Sequence, residues 1–366
     1  MNRSQRARRR TRREASRRAR TRAALPDDWF SYSRVFSVAN LMASSRACLR
    51  GVRWKQSVAG FDKTRLLACV RINRALMSGV YKRKSPVRFT LLERGKLREI
   101  SGPLFADRVV QRCLMDSFLL PVVAPTLTHS NTASIQGRGT SLARAIFERD
   151  MRRAAAASGP TSVYIAQWDV KGYFASVPSA RALAVVSRLA IRIASTAAER
   201  GEATRLLRDA GLYVCESPYL TLGNPLNQLA AVSYLSSLDH SLQEVGRVGP
   251  SGRYMDDGYI VAASREEAAA ALERVASALG ALSLTPNPRA RRIARADRGA
   301  TFLKVTYRLS AGESGFPSVC RLRSRKVIAR SLRHLRSVAD KAVSGFIPRS
   351  GLDAVAASVA DTLRVR

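Results

Sequence analysis

The chain has few of the residues that build disulfide frameworks or zinc sites. Its 366 residues include five cysteines and three histidines. The cysteines are odd in number, lie far apart and form no Cys-x-x-Cys pair, which argues against both kinds of site. Long apolar runs are also missing. The longest, around Ser117 to Leu127, is interrupted by Pro121 and Pro125, so we expect no membrane-spanning segment.

Acidic residues are scarce as well. Lys and Arg number 63 against 27 Asp and Glu, a formal net charge of +36. This imbalance indicates what the protein binds rather than how it folds. It favours nucleic acid as the binding partner over a membrane surface or nonspecific binding. A genome rich in G and C could favour Arg over Lys, but it would not explain so few acids. The basic N-terminus lacks the apolar segment of a secretory signal, so we expect a cytoplasmic protein, bacterial or phage-encoded.

With 46% hydrophobic residues, the chain is expected to fold around a core. Residues 1–24 are an exception, because they hold eleven arginines and one acid, Glu14. A segment that repels itself in this way is expected to be disordered until it meets phosphate. It is either an RNA- or DNA-binding arm or a tail of little consequence.

The periodicity of apolar residues predicts alternating helices and strands. The predicted strands are 88–92, 98–100, 163–170, a pair around Met255, and 301–309. The predicted helices are 107–120 (stopped by Pro121), 140–157, two or more between 178 and 209, 225–242, 265–279 (ended by Gly280), and two basic helices within 323–363.

Acidic residues stand out at two places in this basic sequence, a pair at Asp256 and Asp257 and a single residue at Asp169. Asp256 and Asp257 lie between strand-forming residues, as in a hairpin with acids at its tip, although such turns are often merely solvated. Asp169 ends an apolar strand, where a lone carboxylate is costly without a cation. Acids that converge from distant positions fit two-metal nucleotidyl transfer. Mg²⁺, with Mn²⁺ as an alternative, prefers such oxygen ligands.

Six blocks in collinear order, from about Tyr81 to Leu309, resemble bacterial reverse transcriptases. They are Lys96-Leu-Arg-Glu-Ile100 with Asp107-Arg-Val-Val-Gln111, Ala133 to Thr140, Asp169 to Phe174, Leu222 to Gln228, Tyr254 to Asp257, and Phe302-Leu303. The resemblance implies an α+β right-hand polymerase with fingers, a palm of antiparallel sheet flanked by helices, and a short helical thumb. The implied ranges are 1–24 for a disordered arm, 25–160 for the N-terminal region and fingers, 161–310 for the palm with part of the fingers, and 311–366 for the thumb.

The resemblance also implies roles for single residues. The catalytic metal ligands would be Asp169, Asp256 and Asp257, with the carbonyl of Val170 beside them. The dNTP site would contain Lys96, Arg98, Phe174, Leu222, Gly223 and Arg289. Template and primer contacts would come from Asn224, Gln228, Tyr254, Met255, Arg325 and Arg333. In the alternatives without a functional role, Lys96 and Arg98 belong to a solvated hairpin, Phe174 packs in the core, and the basic tail presents a solvated face.

Several positions bear on the product and on fidelity. A bulky ring at Phe174 would clash with a ribose 2′-hydroxyl, so DNA is the expected product. Leu222 stands where accurate reverse transcriptases have Gln, which would relax base selection. Ala290 stands where a Lys is usual, so Arg289 or Arg291 would contact pyrophosphate, or the proton-donor role is absent. Lys304 stands where Gly is common.

The motif Leu222 to Gln228 is most similar to reverse transcriptases of diversity-generating retroelements, a group II intron-like class, although Asn227 replaces their usual Ser. The resemblance implies error-prone, RNA-templated DNA synthesis, with template RNA, nascent cDNA and dNTPs as partners. No RNase H or zinc-type endonuclease pattern follows Leu309, so we expect an accessory protein. The alternatives are an antiphage-defence reverse transcriptase and a non-catalytic RNA-binding or RNA-annealing protein.

Overall fold

The computed structural model describes residues 3–93, 96–245, 249–312, 317–322, 325–344, 351–353 and 355–357. The chain divides into two compact units, each built from two stretches. The first unit comprises Met1–His129 with Lys171–Val245, and the second comprises Ser130–Val170 with Gly246–Arg366. The consecutive ranges predicted from the sequence do not coincide with these units, because the chain passes between the units three times.

The first unit is mainly helical and carries one antiparallel hairpin. The strands of this hairpin are β1 (Val87–Glu93) and β2 (Lys96–Gly102), as the sequence predicts. The helices of the unit are α1 (Arg3–Ala23), α2 (Tyr32–Val35), α3 (Val38–Leu49), α4 (Gln56–Lys63), α5 (Arg65–Met77), α6 (Phe105–Leu114), α7 (Leu120–Val123), α9 (Tyr173–Ser176), α10 (Ser179–Ile193), α11 (Ala197–Val214), α12 (Pro225–Tyr234) and α13 (Ser236–His240).

Helix α6 contributes to the core of the first unit and also buries a charge. Its apolar face is formed by Val109, Val110, Cys113 and Leu114. The hydroxyl groups of Tyr81 and Tyr213 donate to Oδ1 of Asp107 at 3.1 and 3.0 Å. The backbone N–H of Lys84 donates to Oδ2 of the same carboxylate at 3.1 Å. Three neutral donors therefore compensate for the desolvation of Asp107, which is 2% exposed.

The helical path after α6 does not stop at Pro121, contrary to the prediction. A π-helical turn, Met115–Leu119, joins α6 to α7, and a 3₁₀ turn follows at Ala124–Thr126. Pro121 occupies the first turn of α7. A proline is tolerated there, because the first N–H groups of a helix have no intrahelical partner.

In the part of the chain that the structure describes, the second unit contains two antiparallel sheets flanked by helices. Its strands are β3 (Tyr164–Trp168), β4 (Ser251–Tyr254), β5 (Asp257–Ala262), β6 (Arg292–Arg295), β7 (Ala300–Phe302), β8 (Val305–Ala311) and β9 (Pro317–Leu322). Its helices are α8 (Thr140–Ser158), α14 (Arg265–Ala281) and α15 (Arg325–Val343). The sheets run in the orders β4-β5-β3-β6 and β7-β8-β9. Helices with antiparallel sheets confirm the predicted α+β class.

Aromatic side chains hold α8 against both sheets of the second unit. The ring of Phe147 lies 4.6 Å from that of Tyr259, 5.1 Å from that of Phe302 and 5.0 Å from that of Tyr307. The hydroxyl of Tyr259 donates to Asp150 on α8 at 2.8 Å. This core backs the strands that carry the acidic residues.

Two boundaries in the second unit differ from the prediction. The expected strand 301–309 is a hairpin, with Leu303 and Lys304 at its turn in positive φ, 48° and 68°. Both central residues of a type I′ turn have positive φ, which favours Gly, so neither residue is a typical turn signal. Helix α14 also continues through Gly280 to Ala281 rather than ending before it.

The described part of the Arg-rich segment is helical, which the expectation of disorder missed. Helix α1 contains neither Gly nor Pro, and Arg is a strong helix former. Its C-terminal end is attached to the first unit, because Arg22 forms a 2.6 Å ion pair with Glu199 and Thr21 is buried. Among the described residues, no helix is both long enough and apolar enough to cross a bilayer.

Candidate active site

The β4–β5 hairpin places two carboxylates at a tight turn. Tyr254 pairs with Asp257, so Met255 and Asp256 form the two-residue turn, with Met255 at a φ of 60°. The guanidinium of Arg253, which is 2% exposed, donates from Nη1 to the carbonyl of Met255. The buried Arg253 thus stabilises the turn. The sequence alone did not indicate this role for Arg253.

Asp169 directly follows β3, the strand next to β5, and lies at the same end of these strands as the turn. Trp168 pairs with Gly258 in the antiparallel β3–β5 ladder. The next position along this register sets Asp169 opposite Asp257. The close packing requires glycine, because a Cβ at position 258 would lie 2.3 Å from the indole of Trp168. The predicted acids therefore converge in the second unit.

The three carboxylates repel one another in a desolvated setting. Burial, followed by the charges of Asp169 and Asp256, raises the pKa of Asp257 to about 7. Burial and then the charge of Asp169 also raise the pKa of Asp256, an effect that Arg253 partly opposes. The cluster is thus short of positive charge.

The donor chemistry of this cluster fits Mg²⁺. Carboxylate oxygens are the protein ligands that this hard cation prefers. Burial and then the neighbouring carboxylates raise both pKa values, and a bound cation would offset both effects. Asp169, Asp256 and Asp257 would hold the metal. The side chains as placed are not a ready-made cage, because the described residues contain no group of three or more His, Cys, Asp or Glu that could hold a metal ion.

Asn287 contacts Asp169 directly, a contact that sequence reasoning missed. Its side-chain Nδ2 donates to Oδ2 of Asp169 at 2.7 Å, and its backbone N–H donates to the Asp169 carbonyl at 2.8 Å. Pro286 forms an isolated bridge with Val170. The pattern Pro286-Asn-Pro288, a polar side chain between two rigid residues, is the only signal in the sequence that could have indicated this contact.

The loop after Asn287 distinguishes between the two candidate arginines for pyrophosphate. Arg291 forms an ion pair with Glu273 on α14. Arg289 is exposed, and the structure gives it no acidic partner among the described residues. Arg289 is therefore the better placed of the two to meet an external phosphate. Ala290, at the position where Lys is usual, lies in the same turn and offers no charge.

In the first unit, two of the predicted nucleotide-binding residues pack against the β1–β2 hairpin. Leu222 forms a bridge with Ile100, and its carbonyl accepts from the N–H of Ser101 at 2.8 Å. Gly223 has a φ of 104°, and a Cβ there would lie 2.5 Å from the Ser101 carbonyl. The close approach expected for Gly223 is thus an approach to β2 of the protein itself.

Two other residues that were predicted to bind dNTP, Lys96 and Arg98, lie on β2 of this hairpin. Arg98 is exposed and shares one face of the hairpin with Ile100. Lys96 pairs with Glu93 through the backbone, and its side chain lies outside the described residues. The phosphate-binding role of Arg98 stays a prediction.

Asn224 has a structural role in the first unit. Its Oδ1 accepts from the N–H of Leu226 at 2.9 Å, which caps α12. Its Nδ2 donates to the carbonyl of Tyr213 at 3.0 Å, and the residue is 3% exposed. Both ends of its carboxamide are therefore used within the protein. Gln228, one turn further along α12, is partly exposed.

The other predicted contact residues lie on different elements. Phe174, on α9, is partly buried, with its ring 6.0 Å from that of Tyr173. Tyr254 packs against the aromatic core of the second unit. Arg333 is exposed on α15, which belongs to the predicted thumb, whereas the side chain of Arg325 lies outside the described residues.

Comparison with known proteins adds no further identification. No model of a known protein family matches the chain. No curated protein matches it either.

Proposed function

We propose that this protein is an RNA-directed DNA polymerase that adds dNTPs to a primer 3′-hydroxyl, the reverse transcriptase of a diversity-generating retroelement. The observation that carries the proposal is the position of Asp169 opposite Asp257, beside the turn that holds Asp256. Asp169 is distant in sequence from Asp256 and Asp257, and all three lie at the same end of the adjacent strands β3 and β5. Burial, together with the charges of Asp169 and Asp256, raises the pKa of Asp257 to about 7.

The roles of the acidic residues follow from this arrangement. Asp169, Asp256 and Asp257 would hold two Mg²⁺ ions, which when bound lower the pKa of the primer hydroxyl and neutralise the triphosphate. Arg253 keeps the turn that carries Asp256 in one conformation, since it hydrogen-bonds to the turn itself. Arg289 offers a guanidinium in the same unit for the charge of the phosphates.

Three further features support the choice of nucleic acid and product. The net charge of +36 suits a template RNA and its cDNA. Phe174 carries the bulky ring expected to exclude a ribose 2′-hydroxyl. Leu222, docked on β2 through its backbone, presents an apolar side chain where a polar contact would favour accurate base selection. An accessory protein of the same element remains part of the proposal.

The polymerase proposal is tested with the full-length protein on a DNA primer annealed to an RNA template, with dNTPs and Mg²⁺. We expect primer extension by the wild type and none by Asp256→Asn. The matched control is Asp340→Asn, which removes an exposed acid on α15 and should extend normally. Extension that survives Asp256→Asn would refute the metal site. Annealing of RNA without extension by the wild type would identify an RNA-annealing protein instead.

The mutagenic role is tested on the same products. Sequencing the cDNA should show substitutions concentrated opposite template adenines, as expected for a diversity-generating element. Uniformly accurate cDNA would reject that role while leaving the polymerase activity in place, and it would favour an antiphage-defence reverse transcriptase.

A further inference from the structure

Asn287 holds Asp169 at two points. The side-chain amide reaches Oδ2 of the carboxylate at 2.7 Å, and the backbone N–H reaches the carbonyl of the same residue at 2.8 Å. The adjacent bridge between Pro286 and Val170 continues this pairing. The side-chain contact is therefore accompanied by a main-chain hydrogen bond of the same residue pair.

The orientation of the Asn287 carboxamide is determined by its own hydrogen bonds. Its Oδ1 accepts from the backbone N–H of Arg289 at 3.2 Å, and its carbonyl accepts from the N–H of Ala290 at 3.1 Å. A backbone N–H can only donate, so the oxygen of the carboxamide faces Arg289 and the NH₂ group faces Asp169. The asparagine both caps its turn and presents a donor to the carboxylate.

This contact restrains Asp169 without neutralising it. One carboxylate oxygen, Oδ2, is held by Asn287. A side chain already held in one rotamer loses less freedom when it binds a ligand. A neutral amide adds no positive charge, whereas a lysine at the same place would compete with a cation for the carboxylate.

We infer that Asn287 is the positioning residue of Asp169, which keeps that carboxylate oriented for a divalent cation. The inference rests on the proposed function, since it assigns Asn287 to the same acidic site. Residues that orient metal ligands in this way typically change metal affinity or activity by about 10–100-fold when they are removed.

Two variants and one control test the inference. Asn287→Ser keeps an oxygen that can cap the turn but is too short to reach Asp169, and Asn287→Ala removes both functions. Thr285→Ala is the matched control, because Thr285 is an exposed polar residue of the same loop. Two assays are run: thermal unfolding of the metal-free protein titrated with Mg²⁺, and primer extension titrated with Mg²⁺ and with dNTPs.

For both Asn287 variants, we expect the half-saturating Mg²⁺ concentration to rise about tenfold in each assay. At saturating Mg²⁺, kcat should fall while the KM for dNTP stays near that of the wild type. Thr285→Ala should behave as the wild type. A purely structural role would lower the melting temperature without Mg²⁺ and leave the half-saturating concentration unchanged, and that result would overturn the inference.

The outcomes separate this inference from the proposed function. If the wild type extends primers and the Asn287 variants need no more Mg²⁺ than it does, the polymerase proposal stands and the inference fails. If the wild type extends nothing, yet Mg²⁺ stabilises it in an Asn287-dependent manner, the polymerase proposal fails and the inference stands. A wild type that Mg²⁺ does not stabilise overturns the inference.

Discussion

The indole of Trp168 fills the space that any side chain at position 258 would need. A Cβ added to Gly258 would lie 2.3 Å from Cε2 of that ring, and the two residues pair across β3 and β5. A rigid ring that is 3% exposed has little room to move aside. Residue 258 must therefore be glycine for β5 to pair with β3, the strand that Asp169 follows.

Replacing Gly258 with Ala should destabilise the protein by about 2 kcal/mol or more, because the added methyl group overpacks the sheet. Primer extension should fall as well, since Trp168 adjoins Asp169. Urea unfolding measures the first effect. Gly280→Ala is the control: a Cβ at Gly280, in the last turn of α14, meets nothing within 4 Å, so this variant should be no less stable than the wild type. Equal stability of Gly258→Ala and the wild type would contradict the steric argument.

The raised pKa of Asp257 predicts how stability depends on pH in the absence of metal. Its pKa is about 7 in the folded protein against an ordinary 3.8. The folded state thus keeps a proton that the unfolded chain releases. This contribution to stability is fully present below about pH 4 and is lost as the pH rises to about 7.

Asp257→Asn should therefore be more stable than the wild type at pH 8 in EDTA, by about 2–4 kcal/mol, with the difference shrinking towards pH 4. Adding Mg²⁺ at pH 8 should stabilise the wild type and have little effect on the variant. Thermal unfolding across this pH range is the measurement. A wild type whose stability is flat between pH 4 and 8 would contradict the predicted repulsion.

The sequence predicted the acidic hairpin well because its signals are local. Strand-forming residues flank Asp256 and Asp257, and that pattern predicts a hairpin with its turn at these residues. The contact of Asn287 with Asp169 was not predictable in this way, because it joins residues that only the folded second unit brings together. The turn at Leu303 and Lys304 was missed for a different reason: neither residue carries the glycine or asparagine signal of a positive φ.

The division into units was also beyond local patterns. The chain leaves the first unit after His129 and returns to it at Lys171. At Lys171 the crossing lies between β3, which ends at Trp168, and α9, which begins at Tyr173, so no long linker marks it. Sequence ranges therefore predicted the elements better than they predicted which elements share a core.

Gly223→Ala should weaken the docking of the segment around Leu222 on β2. Position 223 has a φ of 104°, and the added Cβ would lie 2.5 Å from the carbonyl of Ser101. The combined strain should cost about 2 kcal/mol or more in unfolding free energy. Gly201→Ala, on α11 with nothing within 4 Å of its Cβ, is the control and should not be destabilised. Similar unfolding curves for both variants would show that β2 yields easily.

Deleting residues 1–24 should reduce the salt dependence of RNA binding. The deletion removes eleven arginines and one acid, and each phosphate that the protein no longer neutralises lowers the slope of log K against log salt by about 0.7–0.9. We expect a decrease of about 2 or more, measured by filter binding at several salt concentrations. A protein with lysine in place of these arginines keeps the charge and should keep most of the slope. An unchanged slope after deletion would show that the segment does not bind RNA.

Phe174→Ala tests whether this ring selects the sugar. If the ring excludes a 2′-hydroxyl, its removal should raise kcat/KM for rNTPs relative to dNTPs by about tenfold or more. Phe174→Tyr keeps the bulk and should keep the selectivity. Phe174 is partly buried beside Tyr173, so the alanine variant should also lose some stability, which thermal unfolding would report separately. Lower stability with unchanged discrimination would make Phe174 a packing residue, and the choice of DNA over RNA as product would then need another cause.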